Sequence, residues 1–267
     1  MGKVILITGI SSGFGKHTAE LLCKRDHIVY GTIRRQVDCN PLIKVIRMDL
    51  TDILSIKNAV KYVLEKEGKI DVLINNAGMH LGGAIEITPA EDIERQITTN
   101  YLGVVYTIQE VLPIMRRQKY GSIINISSIG GLMGLPYQGF YSSSKFAIEG
   151  LSESLRMEIK GFNIKVILIN PGDFRTQNTI NRKNILNTNH DNPYQDQFRK
   201  TLSIIEKDET NGWDPEFLAK KLCKIIESRN PKDRYIIGSF DQKLAVILKK
   251  FLPDRYFRKI LELHYGI

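Results

Sequence analysis

The sequence has 267 residues, of which 42% are hydrophobic and 25% are charged. These proportions are typical of a folded globular chain, so they exclude a disordered protein, a collagen-like repeat and a bare coiled coil. The length predicts one α/β domain or at most two small domains. The 38 basic and 29 acidic side chains give a net charge of +9, which suits a polyanionic ligand of any size, from a dinucleotide to nucleic acid or a lipid surface.

The cysteine, histidine and basic residues indicate which kinds of bound group and partner to exclude. Cys23, Cys39 and Cys223 form an odd set without Cys-x-x-Cys spacing, which argues against a disulfide framework and a zinc ribbon. No two histidines have the spacing of metal ligands, so we expect no metal. The basic residues are spread along the chain and accompany no nucleic-acid-binding motif, so we expect no nucleic-acid partner.

The compartment follows from hydropathy and cysteine usage. No apolar run reaches the roughly 18 residues that a membrane helix needs, and the chain opens on a strand-like segment without the features of a signal peptide. Free cysteines are typical of a reducing compartment. We therefore expect a cytoplasmic protein.

Apolar, β-rich runs alternate with longer helical patterns along most of the chain. The alternation predicts a doubly wound, Rossmann-type α/β fold, in which helices flank both faces of a parallel sheet. No linker divides the chain, so we expect residues 1–267 to form a single domain. The predicted strands are 4–8, 28–32, 45–49, 72–75, 122–127 and 165–170, and the predicted helices are 16–24, 53–67, 90–117 and 146–160.

Two capping sequences mark helix starts, and one long polar stretch separates predicted elements near the carboxyl end. A capping residue precedes proline at Thr88 and again at Asp214, which indicates a helix start at each place. Residues 176–213 are rich in asparagine and are helical only at about 194–207, so they are too long for an ordinary connection. We interpret residues 173–213 as a lid over the substrate.

A glycine-rich turn follows the first predicted strand. Residues 8–15 (TGISSGFG) contain three glycines, which let backbone N–H groups and the positive end of the next helix approach a pyrophosphate. Such a cluster is also compatible with a plain turn between a strand and a helix. It becomes informative only together with other features.

The end of the second strand favours NADP(H). An acidic residue at this place normally selects NAD by holding the 2′-hydroxyl of its ribose. Here Ile33 stands in that place, and Arg34 and Arg35 follow. Because a guanidinium group suits a phosphate, we predict that NADP(H) is preferred, with Arg34 on the 2′-phosphate. If the arginines form only a solvated turn, NAD(H) binds as well.

Tyr141 and Lys145 are candidates for proton transfer, because a spacing of four residues places both on one helix face. The pair Tyr62 and Lys66 has the same spacing but belongs to an ordinary amphipathic helix. Only the first pair follows a serine, Ser128, at the carboxyl edge of the sheet where ligands of such folds bind. A nearby ammonium group lowers the pKa of a phenol from about 10 toward the neutral range that acid/base catalysis needs.

Five motifs, taken in chain order, resemble those of the short-chain dehydrogenase/reductase family, specifically its single-domain oxidoreductase branch. They are the glycine turn, residues 75–78 (NNAG), Ser128, Tyr141-x-x-x-Lys145 and residues 171–172 (PG). The resemblance extends from about residue 3 to the tail. It implies an enzyme acting on CH–OH groups with NAD(P). Tyr141 would transfer the proton, Ser128 would bind the substrate oxygen, Lys145 would lower the tyrosine pKa and bind the nicotinamide ribose, and Asn100 would anchor a relay water.

The same resemblance implies a set of cofactor contacts. Asp49 would contact adenine, Asn76 would line the adenosine ribose, and the loop with Thr176 would position the nicotinamide. The predicted cofactor residues are Gly9, Ser11, Ser12, Gly13, Phe14, Gly15, Arg34, Asp49, Leu50, Asn76, Ala77, Gly78, Tyr141, Lys145, Pro171, Gly172 and Thr176.

The sequence says less about the substrate than about the cofactor. Residues 79–83 and 132–140 are mainly apolar, which favours a small hydrophobic ketone or secondary alcohol of steroid, retinoid or lipid type. Phe14 and the segment 173–175 (DFR) depart from the common family pattern. The alternative function is a catalytically silent NADP(H)-binding regulatory protein. The presence of all four candidate catalytic residues argues against it, because such a protein needs no acid/base pair. The family resemblance also implies a homo-oligomer.

The tail, at about residues 241–267, has apolar residues at helical spacing with basic residues beside them. A basic amphipathic helix can lie on an anionic membrane surface. Such helices more often pack on their own domain or on a partner subunit. The membrane contact therefore remains open but is not favoured.

Overall fold

Seven parallel strands form the central sheet in the computed structural model, which describes residues 2–185 and 192–267. In chain order the strands are β1 (Val4–Ile7), β2 (Ile28–Ile33), β3 (Lys44–Arg47), β4 (Val72–Asn75), β5 (Leu81–Gly82), β6 (Gly121–Ile126), β7 (Ile164–Pro171), β8 (Lys183–Asn184) and β9 (Arg234–Ile237). The sheet has the order β3-β2-β1-β4-β6-β7-β9, and β5 pairs with β8 separately. The chain reverses direction across the sheet between β1 and β4, where such folds bind ligands.

Helices cover both faces of this sheet, as predicted. They are α1 (Gly13–Cys23), α2 (Ile53–Glu67), α3 (Ala90–Ile97), α4 (Gly103–Gln118), α5 (Gly139–Glu158), α6 (Asn178–Asn181), α7 (Gln195–Thr210), α8 (Pro215–Glu227), α9 (Phe240–Phe251) and α10 (Asp254–Tyr265). One hydrophobic core lies between the sheet and α2, α4 and α5, and a second lies between the sheet and α1 and α8. Every residue of β1 and β4 is buried, which explains their unbroken apolar sequence.

The six strands predicted for the sheet are confirmed with shifts of one or two residues at their ends. β9 escaped prediction because Arg234–Ile237 is a short, half-exposed edge strand that is defined by its pairing with β7. The helix predicted at 90–117 is interrupted by a wide π-helical turn at Thr98–Leu102. α5 begins at Gly139 rather than at 146, because packing overrides the weak helix propensity of its glycine and serine residues.

Of the two predicted helix caps, the one at Asp214 is confirmed and the one at Thr88 is wrong. Asp214 caps α8, since its carboxylate accepts a hydrogen bond from the backbone N–H of Glu216 at 2.8 Å. Thr88 does not cap α3. Its hydroxyl donates to the carbonyl of Ala84 at 2.7 Å, and Pro89 occupies the capping position before the helix.

The predicted lid and tail lie on the carboxyl side of the sheet. The described part of the lid contains α6, β8 and α7, and residues 186–191 of it lie outside the described residues. The tail forms α9 and α10, whose buried Val246 and Phe257 pack on Met133 in a third small core. Among the described helices, none is long and apolar enough to cross a bilayer.

Candidate functional site

Two adjoining cavities open at the carboxyl edge of the sheet. One has a volume of about 390 Å³ and lies over the turn between β1 and α1. The other has a volume of about 480 Å³ and lies between the lid and the tail. Phe14, Ser127, Tyr141 and Thr176 line both. A ligand in one cavity therefore meets a ligand in the other at Tyr141.

The smaller cavity contains most of the predicted cofactor residues. Pro171 and Gly172 line the larger cavity instead, and Gly15 lines neither. Arg95 and Lys183 also line the smaller cavity and escaped prediction. The predicted residues that line it are Gly9, Ser11, Ser12, Gly13, Phe14, Arg34, Asp49, Leu50, Asn76, Ala77, Gly78, Tyr141, Lys145 and Thr176.

The glycines of the turn have different roles. Gly9 has a φ of +72°, and a Cβ there would lie 2.7 Å from the Cβ of Ala77. At Gly15 a Cβ would lie 2.1 Å from the carbonyl oxygen of Gly9 and 2.5 Å from Nδ2 of Asn76. Gly15 is thus required for packing of α1 against the turn. Gly13, with a φ of +55°, lies beside the cavity, where a Cβ would meet only Thr176 at 3.7 Å.

The turn is held in shape by Thr8 and Asn76. The amide of Asn76 donates to the carbonyls of Thr8 and Gly9 at 3.0 and 2.8 Å. The hydroxyl of Thr8 accepts from the backbone N–H groups of Asn76 and Ala77, both at 3.0 Å. The amino end of α1 therefore faces the cavity in a rigid frame, an arrangement that fits the pyrophosphate of a dinucleotide.

Charged groups stand at the far end of this cavity. Arg34 lines it immediately after β2, whereas Arg35 does not. Burial raises the pKa of Asp49, but hydrogen bonds from Thr51 and the positive charge of Arg34 bring it below its ordinary value. Asp49 is therefore ionised beside Arg34, in a place that suits the adenosine half of a dinucleotide. The donors and charges along the cavity fit an NADP-sized ligand.

Three of the four candidate catalytic residues, Ser128, Tyr141 and Lys145, line the adjoining cavities, whereas Asn100 lines neither. Ser128 follows β6, and its hydroxyl accepts from the backbone N–H of Gly130 at 3.0 Å. Tyr141 and Lys145 lie on α5, with the ammonium nitrogen 5.8 Å from the centre of the phenol ring. Lys145 donates to the carbonyl of Ile126 at 2.8 Å. The amide of Asn100 binds the backbone of Met79, accepting at 2.8 Å and donating at 2.9 Å.

The proton affinities of Tyr141 and Lys145 are set mainly by burial. Burial raises the pKa of Tyr141, and a hydrogen bond with Ser128 opposes that rise. Lys145 is not among the groups that lower the pKa of Tyr141, so the pKa lies above its ordinary value and not below it as expected. Burial also lowers the pKa of Lys145 to about 8, with Glu149 opposing. The pKa of Lys145 thus moves toward neutral pH, whereas Tyr141 holds its proton more tightly than an ordinary phenol.

His80 lies in the segment 79–83 that was predicted on the substrate side, but its role beside Tyr141 was not predicted. Its ring stacks on Tyr141 with 3.9 Å between the ring centres and 24° between the planes. Its Nε2 lies 2.6 Å from Oε1 of Gln138, and burial lowers its pKa to about 3. The neutral ring therefore donates to Gln138 and fixes the phenol plane. A lone histidine in a loop carries no sequence signal of this role.

The larger cavity has an apolar wall and a carboxylate wall. Its apolar side chains come from the segment 132–140, the lid and the tail, and they include Met133, Leu135, Ile205, Leu248, Ile260 and Leu261. Asp173, Asp208 and Glu209 stand on the other wall. Burial and repulsion from Glu209 and Asp208 raise the pKa of Asp173 to about 6. The cavity thus combines room for an apolar chain with a negative end close to Tyr141.

Each carboxylate on that wall has a protein partner. Gln242 donates to Asp173 at 2.5 Å, and Glu209 accepts from Thr179 at 2.6 Å and pairs with Arg182. Asp208 lies 3.0 Å from Nε2 of His264. Within residues 2–185 and 192–267, no three His, Cys, Asp or Glu side chains are grouped so as to hold a metal ion.

Comparison with known proteins agrees with this geometry. A family model described as short chain dehydrogenase matches residues 3–185. The 3-ketodihydrosphingosine reductase of Bacteroides thetaiotaomicron is 47% identical over 265 residues, covering 99% of this chain and 98% of the relative. The NADPH-dependent 3-dehydrocapnine reductase of Ornithobacterium rhinotracheale is 31% identical, covering 97% of this chain and 95% of the relative.

A solved structure supports the same assignment. A short-chain dehydrogenase from Streptomyces avermitilis superposes with a TM-score of 0.79 at 29% identity, covering 97% of this chain and 98% of that one. The chain therefore belongs to the short-chain dehydrogenase/reductase family, whose members are oxidoreductases that act on CH–OH groups with a nicotinamide dinucleotide.

Proposed function

We propose that this protein is an NADPH-dependent reductase of a long-chain lipid ketone that carries an amino group beside the carbonyl. The observation that carries the proposal is the larger cavity, which is lined by Tyr141, by the carboxylates described above and by apolar side chains. The relative that is 47% identical is named for 3-ketodihydrosphingosine, a long-chain amino ketone. Such a substrate would match both walls.

The residues of this chain have separate tasks in the reduction. NADPH, when bound, supplies the hydride. Ser128 and Tyr141 hold the carbonyl oxygen by hydrogen bonds, and Tyr141 gives its proton to that oxygen. As a phenol, Tyr141 is protonated at neutral pH and has a proton to give. Because burial raises its pKa and makes it a weaker acid, the phenolate that forms needs a positive charge beside it. Lys145, with a pKa near 8, stabilises the negative charge that the phenol gains.

The choice of NADPH is supported by Arg34. We expect Arg34→Gln to weaken NADPH binding by about 10- to 100-fold, because a charge-assisted hydrogen bond contributes about 1.5–3 kcal/mol. NADH binding should stay unchanged. Arg35→Gln is the matched control, since Arg35 does not line the cavity. Fluorescence titration measures all four affinities, and equal losses in both variants would contradict a specific role for Arg34.

The substrate class is tested by the purified protein with NADPH and a panel of ketones. The panel contains 3-ketodihydrosphingosine, its N-acetyl derivative, a long-chain 3-ketone without nitrogen, a steroid ketone and retinal. We expect the highest kcat/KM for the free amine, because only it carries the charge that Asp173 and its neighbours attract. Asp173→Asn should reduce that preference while leaving the rate on the nitrogen-free ketone nearly unchanged. Equal kcat/KM for the amine and its acetylated form would contradict the proposed substrate class.

A further inference from the structure

An apolar stripe runs along the outer face of α9. Phe240, Leu244, Ile247 and Phe251 are 81%, 39%, 51% and 80% exposed. Their spacing of four, three and four residues places them within an arc of about 60° on a helix. Val246, on another face, is buried. Phe240 and Phe251, the most exposed members of the stripe, therefore have little cover among the residues that the structure describes.

α10 carries a second stripe of the same kind. Tyr256, Ile260 and Leu263 are 49%, 41% and 73% exposed and follow the same spacing of four and three residues. Phe257, on the inner face, is 2% exposed and packs in the third core. Two consecutive helices thus each bury one apolar face and present another to the outside. We call these seven residues together the tail stripes.

The tail stripes are continuous with the larger cavity. Leu244 and Ile260 belong to the stripes and also line the cavity. Leu248 and Leu261, one turn or one residue away on the same helices, line it as well. An apolar surface therefore leads from the outside of the protein to the cavity that contains Tyr141.

The charge around the tail stripes favours an anionic lipid surface over a second copy of this chain as their cover. Residues 240–267 contain six basic and three acidic side chains. Two of the acids are already paired, Asp254 with Lys249 at 2.6 Å and Glu262 with Arg258 at 3.4 Å. The basic side chains Lys243, Lys250, Arg255, Arg258 and Lys259 are exposed. A second copy of this chain would bring the same positive charge, whereas anionic lipid headgroups attract it.

We propose that α9 and α10 dock this protein on an anionic lipid surface, with the tail stripes inserted between the lipids and the basic side chains at the headgroups. The cavity would then open toward the lipid from which its substrate comes. This second part rests on the proposed function, whereas the docking itself does not.

The test is sedimentation with vesicles, using the full chain and two double variants. Phe240→Ser with Phe251→Ser removes the most exposed members of the stripe, which lie outside both cavities. Leu42→Ser with Leu54→Ser is the matched control, because both leucines are 65% exposed elsewhere on the surface. NADPH titration of each variant reports whether the fold and the smaller cavity are intact.

The wild type and the leucine control should sediment with vesicles of phosphatidylcholine and phosphatidylglycerol, and much less with phosphatidylcholine alone. The phenylalanine variant should bind the anionic vesicles at least about tenfold more weakly. No sedimentation of the wild type at low salt would overturn docking, as would equal binding by both double variants. Docking would also be overturned if the phenylalanine variant changes only the oligomeric state, since the stripes would then contact a second copy. Because sedimentation needs no turnover, docking can fail or succeed independently of the reductase activity.

Discussion

At the scale of single residues, environment separates two tyrosines that have the same local geometry. Lys66 lies 5.8 Å from the ring centre of Tyr62, the same distance as Lys145 from that of Tyr141. Tyr62 is 47% exposed, whereas Tyr141 is enclosed between the two cavities and hydrogen-bonds to Ser128. The pair on α5 gains its chemistry from burial and from its neighbours rather than from spacing.

Tyr141→Phe is expected to abolish turnover while leaving NADPH affinity nearly intact. The substitution removes one hydroxyl and its proton but keeps the ring that lines both cavities. General acid catalysis contributes about 10²- to 10⁴-fold in rate, so kcat should fall by at least that factor. Tyr62→Phe is the control and should keep full activity. Equal kcat for Tyr141→Phe and the wild type would rule out the assigned acid.

His80→Ala is expected to lower kcat with little effect on NADPH affinity. The stacked ring holds the phenol plane, and aromatic pairing of this kind contributes about 0.5–1.5 kcal/mol, or about 2- to 10-fold in rate if it is lost at the transition state. His80→Phe keeps a ring beside Tyr141 and should recover part of the loss. A change confined to thermal stability, with kcat and its pH profile unaltered, would show that His80 is only structural.

Asp173→Asn is expected to stabilise the fold at neutral and alkaline pH. The pKa of Asp173 is raised from 3.8 to about 6 in the folded protein, so ionising it there costs up to about 3 kcal/mol relative to the unfolded chain. The cost is fully present above the folded pKa of about 6 and disappears as the pH falls below 3.8, where Asp173 is protonated in both states. Unfolding curves at several pH values measure the difference. A constant difference across that range would contradict the raised pKa.

At the scale of elements, the close contact between α1 and the turn after β1 depends on the absence of a side chain at Gly15. We expect Gly15→Ala to cost about 1–3 kcal/mol in stability, because its Cβ meets backbone that has no room to move, and to weaken dinucleotide binding. Gly150→Ala is the control, since a Cβ there meets nothing within 4 Å. It should stabilise α5 by about 0.5–1 kcal/mol. Denaturant titration compares the two, and similar effects would contradict the packing role of Gly15.

Elements also differ in how the sequence encodes them. β1 and β4 are buried on both faces, so their composition alone identifies them. The π-helical turn at Thr98–Leu102 places Asn100 against Met79, yet nothing in the local sequence departs from an ordinary helix. The amino end of α5 contains glycine and serine residues of weak helix propensity, and it is helical because its buried face packs against the rest of the fold.

At the scale of the whole molecule, binding of a dinucleotide should raise stability, because the smaller cavity joins the ends of β1, β2, β4 and β6 to α5 and the lid. At a free NADPH concentration of about 100 times its Kd, the gain is about 2.7 kcal/mol, which corresponds to several degrees in Tm. NADH at the same concentration should give a smaller shift. Thermal denaturation measures both, and an equal shift from NADH would contradict the preference for NADPH.

Sequence by itself determined the fold class, the glycine turn, the family and most residues of the smaller cavity. These features are encoded by periodic burial and by motifs whose members lie close together in the chain, and a parallel sheet brings the ends of successive strands to one edge. The assignment of Tyr141, Lys145 and Ser128 to one place follows from that topology, whereas Asn100 lines neither cavity. Homo-oligomer formation and a cytoplasmic location remain predictions.

Only the tertiary structure decided which side chains surround the substrate. His80 stacks on Tyr141, Asp173 faces Glu209, and the tail closes the larger cavity. The members of each contact come from distant segments, so no local pattern records them. The raised pKa of Tyr141 likewise depends on burial, whereas the sequence predicted a lowered pKa from its spacing to Lys145. Proximity and desolvation are properties of the packed chain, and they determine what this site can do.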